Sequence, residues 1–257
     1  MIHLRVNRTP STAVLRSLRR EVNFGCPVPD GKQRCGNPYL TWHHFDPPWS
    51  VRQHHDPSGM IALCRMHHDK ADAGAYTKEQ LLAFKNADAT KEVSGRFDWM
   101  RRNLLVSAGR SYSRHPQTLE IKRRTVIWAN RDLEGNFLLN VKFPDKAGKT
   151  RLLLEDNFWR LIGEPTDFEC PPHGRLISAT YADGDYVRIE FNEACDLTSL
   201  AALLPIGGGF EKLEFPILVA NVHLTMAWAG IRLDDSGIHL GHRHANSGRI
   251  YGSIRIE

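Results

Sequence analysis

The residues best suited to metal chemistry crowd together near the start of the chain. Cys26 and Cys35 lie on one turn-rich loop, and Cys64 with His67 forms a C-x-x-H motif where a strand is expected to meet a helix. Three thiolates and one imidazole suit a tetrahedral structural Zn²⁺ site. The alternative is two buried free thiols beside a chance C-x-x-H motif.

The spacing within this set is unusual at one point. Eight residues separate Cys26 from Cys35, whereas two to four are usual in a zinc knuckle. We interpret the segment PDGKQR as an insertion into a tighter C-x-x-C knuckle.

Three adjacent histidine pairs lie in the same region, and two of them have predictable geometry. His43 and His44 fall in a short strand, where successive side chains point to opposite faces. His67 and His68 fall on a helix, where neighbours are turned by about 100°. If His67 faces the zinc, His68 faces elsewhere and can meet one of the strand histidines. The pattern therefore predicts a second, open metal site separate from the zinc.

The surrounding sequence predicts the elements that hold these residues. We expect two short strands and several helices, capped by Ser11 or Thr12, by the Thr77–Gln80 capping box and by Gly74. The predicted helices are Ser11–Val22, Arg65–Ala73, Thr77–Asn86 and Lys91–Val106, and the predicted strands are Leu40–Phe45 and Met60–Leu63. From Thr118 onward, strand patterns alternate with turns. The sequence therefore predicts an α+β protein with a first domain over residues 1–110, a β-rich domain over 111–257 and a boundary near 107–115.

These motifs carry a family resemblance. The run WHHF, a loop, and then GMIALCRMHHDKAD resemble the HNH endonucleases of the ββα-metal type, in the zinc-stabilised variety, over residues 19–85. The resemblance implies that His44 is the general base and that His43 and His68 are ligands of a catalytic metal, so that these three are the catalytic residues. It also implies cleavage of phosphodiester bonds to 5′-phosphate and 3′-hydroxyl products.

Two further positions qualify this resemblance. Asp72 lies one helical turn after His68, on the same face, and can share the catalytic metal. Gly59 stands where the family usually has an asparagine that braces the loop, so we expect Asp56 or His55 to brace it instead. The expected cofactors are a structural Zn²⁺ and a catalytic divalent cation, Mg²⁺, Mn²⁺, Co²⁺ or Ni²⁺, with imidazole ligands favouring the last three.

The distribution of charge favours a polyanionic partner. Residues 1–110 carry 17 lysines and arginines against 10 acidic residues, whereas residues 111–257 carry 17 against 19. A basic half is expected of a nucleic-acid-binding protein, and we expect DNA rather than RNA. The candidate phosphate contacts are Arg19, Arg20, Arg52, Arg101 and Arg102.

The second domain has no catalytic motif, so we expect it to recognise a target, regulate cutting, or form a homodimer or a complex with a partner protein. A nuclease restrained in this way fits defence against phage or plasmid DNA. No segment is apolar and long enough to span a membrane, so we expect a cytoplasmic protein. The alternative function is a zinc finger that binds nucleic acid without cutting it.

Overall fold

The chain folds into two compact units of mixed α and β structure, as the sequence predicts. A computed structural model describes residues 7, 9–87, 92–205, 210–245 and 249–256, without the side chains of residues 244, 250 and 251. Unit 1 comprises Met1–Ser94 with a returning segment, Asp167–His173. Unit 2 comprises Gly95–Thr166 and Gly174–Glu257.

Unit 1 consists of three helices and short strands. Labelled in chain order, its elements are α1 (Thr12–Glu21), β1 (Pro29–Asp30), β2 (Gln33–Arg34), β3 (Leu40–His44), β4 (Met60–Cys64), α2 (Arg65–Asp72), α3 (Lys78–Asn86) and β13 (Asp167–Glu169). Ser11 caps α1 by accepting a hydrogen bond from the Val14 amide. The expected capping box between Thr77 and Gln80 is present at the start of α3.

The core of unit 1 is built around an antiparallel hairpin of β3 and β4. The register pairs Leu40 with Cys64 and His44 with Met60. All five residues of β4 are buried, and Leu18 of α1 packs against them in the same core. Burial on both sides explains why β4 is a continuous apolar run rather than an alternating one.

A buried lysine fixes α3 to this hairpin. The Lys85 ammonium donates a hydrogen bond to the Met60 carbonyl at 2.9 Å and lies 3.1 Å from the carboxylate of Glu21. A buried ammonium is costly unless it is paired. Three elements are therefore held together at the end of the hairpin that carries the histidines.

Unit 2 is dominated by β-strands. Its elements are β5 (Val93–Arg96, entering from unit 1), β6 (Leu104–Ala108), β7 (Ser111–Ser113), β8 (Gln117–Ile121), β9 (Arg124–Arg131), β10 (Phe137–Pro144), β11 (Thr150–Glu155), β12 (Phe158–Leu161), β14 (Leu176–Thr180), β15 (Tyr186–Ala194), α4 (Leu197–Leu203), β16 (Ile217–Met226), β17 (Ile231–Asp234), β18 (Gly237–Leu240), β19 (Arg243–Ala245), β20 (Ile250–Tyr251) and β21 (Ile254–Ile256).

These strands form two sheets. The first is seven-stranded, in the order β21-β8-β9-β10-β11-β12-β5. In the second, β14 to β19 follow one another as antiparallel neighbours, and β6 pairs in parallel with β16. Trp159 and Phe143 of the first sheet and Ile189 of the second are fully buried, so each sheet turns an apolar face inward.

The predicted helix Lys91–Val106 is wrong for the part the structure describes, and residue 91 lies outside that part. Residues Val93–Arg96 and Leu104–Ala108 are strands instead. Every residue of the run LLVSA is buried in a sheet, and a short apolar run fits a buried strand as well as a helix. The division between units therefore lies at residues 94 and 95, not near 107–115, and the returning segment belongs to unit 1. Among the described residues, no helix is long and apolar enough to cross a membrane.

Candidate metal centres and active site

The long gap between Cys26 and Cys35 is taken up by a small hairpin. Strands β1 and β2 pair Pro29 with Arg34 and Asp30 with Gln33, so the insertion folds on itself. The Cys35 amide donates to the Val28 carbonyl at 2.9 Å, which closes the base of the hairpin. The sulfur atoms of Cys26 and Cys35 therefore lie within 4.8 Å of each other despite the insertion.

Close backbone contact shapes the same knuckle. A Cβ atom on Gly25 would lie 3.0 Å from the carbonyl oxygen of Gly36. The Gly36 amide donates to the Cys26 carbonyl at 3.0 Å, and Gly36 has a φ of 65°. Glycine is suited to both positions because one backbone passes close to the other and one φ is left-handed.

Cys64 and His67 complete the cluster from the start of α2. Cys64 is the N-cap residue of that helix and His67 is in its first turn. The His67 Nδ1 atom lies 3.3 Å from the sulfurs of both Cys26 and Cys64, and the Cys35 and Cys64 sulfurs are 4.0 Å apart. Tetrahedral Zn²⁺ ligands are separated by about 3.5–3.8 Å at normal bond lengths. The donor atoms therefore fit a closed metal site, and this cluster could hold an ion such as zinc.

The protonation of the thiols supports this description. A hydrogen bond from Cys26 lowers the pKa of Cys64 to about 5, and the same interaction, with burial, raises the pKa of Cys26. Crowded thiols resist further ionisation in the absence of a cation. A divalent ion supplies the positive charge that a set of three thiolates needs.

A second cluster lies on the other side of α2. His43 of β3 and His68 and Asp72 of α2 offer ligand atoms that all lie within 4.8 Å of one another. The Asp72 carboxylate is 3.0 Å from His43 Nδ1 and 3.3 Å from His68 Nδ1. Neighbouring ligands of an octahedral cation at about 2.1 Å are about 3.0 Å apart. The two separations from the Asp72 carboxylate are close to this value, and the three side chains could hold a divalent ion.

Hydrogen bonding fixes the tautomer of one of these ligands. His68 Nε2 donates to the Trp42 carbonyl at 3.1 Å. The lone pair that can bind a metal ion is therefore on Nδ1. The Asp72 side chain is 58% exposed, whereas His43 is buried. The pKa of His43 is lowered by burial and by the neighbouring His68. Its neutral form is therefore favoured, as a metal ligand requires.

His44, which strand alternation turns from His43, is not a member of this cluster, and its ring lies 4.8 Å from that of Trp49 and 5.1 Å from that of His54. Its Nε2 donates to the His54 carbonyl at 2.9 Å, so Nδ1 carries the lone pair. Burial lowers the pKa of His44 to about 4, and the ring is neutral at neutral pH. His43, His44 and Asp72 all line one cleft of about 490 Å³.

The loop between the two strands is braced chiefly by His54, to which the expected brace Asp56 contributes its backbone amide. His54 Nε2 donates to the Pro47 carbonyl at 2.9 Å, and its Nδ1 accepts from the Asp56 amide at 3.1 Å. The Asp56 carboxylate instead accepts from the Ser58 amide within its own turn. The expected brace is therefore present but is supplied chiefly by a different residue.

Gly59 has a packing role of its own. Its carbonyl accepts from the amides of Phe45 and Asp46 at 3.0 and 3.2 Å. A Cβ atom there would lie 1.9 Å from the Asp46 carbonyl oxygen, so the backbones leave no room for a side chain. An asparagine at this position would force the two segments apart.

Two features of the cleft are not evident from the resemblance. Lys78, the first residue of α3, lines the cleft and pairs with Asp46 at 2.6 Å. Trp49 also lines it and stacks on His55 with ring centroids 5.3 Å apart. The capping box locates the start of α3, but no spacing rule connects a lysine there with the histidine hairpin.

The arginines predicted to contact phosphate differ in exposure and in pairing. Arg19 is buried and forms a bidentate ion pair with Asp167, at 3.0 and 2.8 Å. The structure gives its proposed contact with phosphate no support, because the guanidinium is buried and its Nε and Nη2 donors already bond Asp167. Arg20 and Arg52 are exposed on unit 1. Arg101 and Arg102 belong to unit 2, and Arg101 pairs with Glu193.

Comparison with known proteins adds no assignment. No protein-family model, curated protein or solved structure matches this chain.

Proposed function

We propose that unit 1 is a metal-dependent endonuclease of the HNH type, which hydrolyses phosphodiester bonds in DNA. The observation that carries the proposal is one cleft lined by His44 and by two members of the histidine cluster, His43 and Asp72. A domain that only binds nucleic acid has no need of three positioned imidazoles and an exposed carboxylate. The sulfur cluster alone would stabilise such a domain.

The proposed general base is Nδ1 of His44. Hydrolysis requires a water molecule to lose a proton as it attacks phosphorus, and a neutral imidazole accepts that proton. The hydrogen bond from Nε2 to the His54 carbonyl holds the ring in one tautomer and one orientation. His54 in turn is held by Pro47 and Asp56, so the loop positions the base.

His43, His68 and Asp72 are the proposed ligands of the catalytic cation. When bound, a divalent cation stabilises negative charge on the phosphate and on the departing 3′ oxygen. The side chains hold that cation at the hairpin end of the cleft, and the exposed face of Asp72 keeps the site open to substrate. The proposed ligand set contains one carboxylate and two imidazoles. We therefore expect cleavage with Mg²⁺ and also with Mn²⁺, Co²⁺ or Ni²⁺.

Lys78 and Trp49 supply the walls of the proposed substrate cleft. The Lys78 ammonium pairs with the Asp46 carboxylate at 2.6 Å but is half-exposed, so its other N–H groups are available to a phosphate. The Trp49–His55 stack offers a flat surface for a base or sugar. Exposed Arg20 and Arg52 remain proposed contacts to the phosphate backbone.

Plasmid cleavage tests this proposal against the binding-only alternative. The intact chain with Mn²⁺ or Mg²⁺ is expected to nick or linearise a supercoiled plasmid, and His44→Ala is expected to lose this activity. His242→Ala removes an exposed histidine of unit 2 and is the matched control. Cleavage that survives in His44→Ala would contradict the role of the base. DNA binding by the intact chain without any cleavage would favour the zinc-finger alternative.

The biological setting proposed is defence against foreign DNA, with unit 2 directing or restraining the nuclease through DNA, a second copy of the chain or a partner protein. Cells that express the intact chain are expected to reduce phage plaques or plasmid transformation, and cells that express His44→Ala are not. Equal protection by both would remove the nuclease from this role.

A further inference from the structure

Unit 2 carries a group of cations without acidic partners at one end of its seven-stranded sheet. Strands β9 and β10 are antiparallel neighbours, so the turn before β9 and the turn after β10 lie at the same end. The cations of these two turns and the adjoining strand ends are Lys122, Arg123, Arg124, Lys142, Lys146 and Lys149. All six are exposed residues.

Within the described part of unit 2, these six cations differ from several other cations in having no carboxylate partner. Among the residues that the structure describes, none of these six forms an ion pair with a carboxylate. Five arginines elsewhere in the same unit are each paired: Arg101, Arg151, Arg160, Arg188 and Arg232. Lys122 instead lies over the Trp228 ring at 5.2 Å. Uncompensated like charges repel one another unless a polyanion binds them.

Two of the cations line a concave surface. A cavity of about 390 Å³ is bounded by Arg124, Val126 and Lys142, and by Gly148 of the turn after β10. By strand alternation Arg124, Val126 and Lys142 share one face of the sheet, opposite the face that carries Ile127 and Val141.

The turn after β10 passes close beneath the arginine. A Cβ atom on Gly148 would lie 3.0 Å from Nη1 of Arg124, and Gly148 has a φ of 87°. Among the residues that line the cavity, no carboxylate occurs. The nearby Asp145 accepts the Lys149 amide at 2.8 Å and lines a different cavity, with Arg151. The concave surface is therefore positive and free of internal anions.

We propose that this concavity, with Arg124 and Lys142 as its central cations, binds phosphates of the DNA backbone. The inference rests on the proposed function for the choice of DNA as the polyanion. Unit 2 then has a role of its own, because it holds the nucleic acid at phosphates other than the one that is cut. The arginine supplies paired N–H donors to phosphate oxygens and the lysine a point charge.

The salt dependence of DNA binding tests this site. Binding of a labelled duplex by the full chain is measured by anisotropy in the His44→Ala background, without added catalytic metal, over about 50–200 mM salt. Adding Arg124→Ala and Lys142→Ala is expected to weaken binding about tenfold and to reduce the slope of log K against log salt by about two, one for each lost phosphate contact. The Gln pair, Arg124→Gln and Lys142→Gln, is expected to behave in the same way and guards against a folding defect.

The control removes the same charge from unit 2 at other exposed positions. Lys212→Ala with Arg243→Ala is expected to change the slope little. An unchanged slope in the Arg124 and Lys142 variants, or an equal loss in the control, would overturn the proposal. If the chain bound polyglutamate as tightly as the duplex, and the Arg124 and Lys142 variants lost that binding, DNA would be overturned as the occupant. The assay measures binding and involves no cleavage. If the intact chain bound DNA through these residues but never cleaved it, the nuclease proposal would fail and the proposed phosphate site would still hold.

Discussion

The two donor clusters of unit 1 share one helix but differ in access. The sulfur cluster takes Cys64 and His67 from the start of α2, and the histidine cluster takes His68 and Asp72 from the next turn and a half. Cys26, Cys64 and His67 are buried, and the protein supplies all four donors. The histidine cluster has three donors, one of them exposed, and borders a cleft.

This difference in access is the one expected if, as we propose, the sulfur cluster is a structural metal site and the histidine cluster is a catalytic one. A structural site is closed by four protein ligands, whereas a catalytic site keeps a position open for water or substrate. Adjacent residues, His67 and His68, serve different clusters because a helix turns them apart. We therefore expect a metal ion bound at the first site to help hold the ligands of the second in place.

Loss of the sulfur cluster is expected to have the largest effect. Cys64→Ser should abolish zinc retention and unfold unit 1, because structural zinc contributes about 10–16 kcal/mol in small zinc domains. Cleavage should be lost with the fold. Zinc content by mass spectrometry and thermal unfolding measure the outcome, and Cys195→Ser, at an exposed cysteine of unit 2, is the control. A stable, active Cys64→Ser protein would contradict the structural assignment.

Removal of the proposed base, His44, should severely impair cleavage without disturbing the sulfur cluster. His44→Ala is expected to lower the cleavage rate about 10²–10⁴-fold, which is the usual contribution of general base catalysis. Zinc content should not change, because His44 points away from the sulfurs. Single-turnover cleavage of a labelled duplex measures the rate, with His242→Ala as control. A loss of zinc together with activity would mean that the two clusters are not independent.

Loss of a ligand from the histidine cluster should change the Mn²⁺ concentration that cleavage requires. Asp72→Ala is expected to raise the Mn²⁺ concentration for half-maximal cleavage by about 10–100-fold, the range seen when support for a metal site is lost. Asp69→Ala is the matched control, since Asp69 lies on the same helix but pairs with Arg65. Titration of both variants with Mn²⁺ compares them. Equal responses would exclude Asp72 as a ligand.

The smallest expected effect concerns the loop that positions His44. Gly59→Ala should destabilise unit 1 by about 1–3 kcal/mol through overpacking against Asp46. Zinc should be retained. Denaturant unfolding measures the change, and Gly252→Ala is the control, because a Cβ there meets nothing within 4 Å. Equal stabilities of the two variants would show that the close approach at Gly59 relaxes without cost.

Local sequence rules predict the hairpin, α2 and both donor clusters well. Strand alternation separates His43 from His44, and helical rotation separates His67 from His68, so spacing alone determines which residues can meet. The capping residues Ser11 and Thr77 likewise fix where α1 and α3 begin. In each case the geometry depends on residues a few positions apart.

Long-range pairing could not be predicted in this way. The run LLVSA becomes a strand because it pairs in parallel with β16, which lies far along the chain. Arg19 is buried because Asp167 returns to α1 from a distant segment. No periodicity or motif within a short window contains these partners.

Anomalous diffraction from crystals of the full chain grown with Mn²⁺ tests the two-centre account most directly. The account predicts a zinc signal among Cys26, Cys35, Cys64 and His67, and a manganese signal among His43, His68 and Asp72. A cysteine cluster without zinc, or a histidine cluster that binds no Mn²⁺ when the zinc is in place, would contradict it.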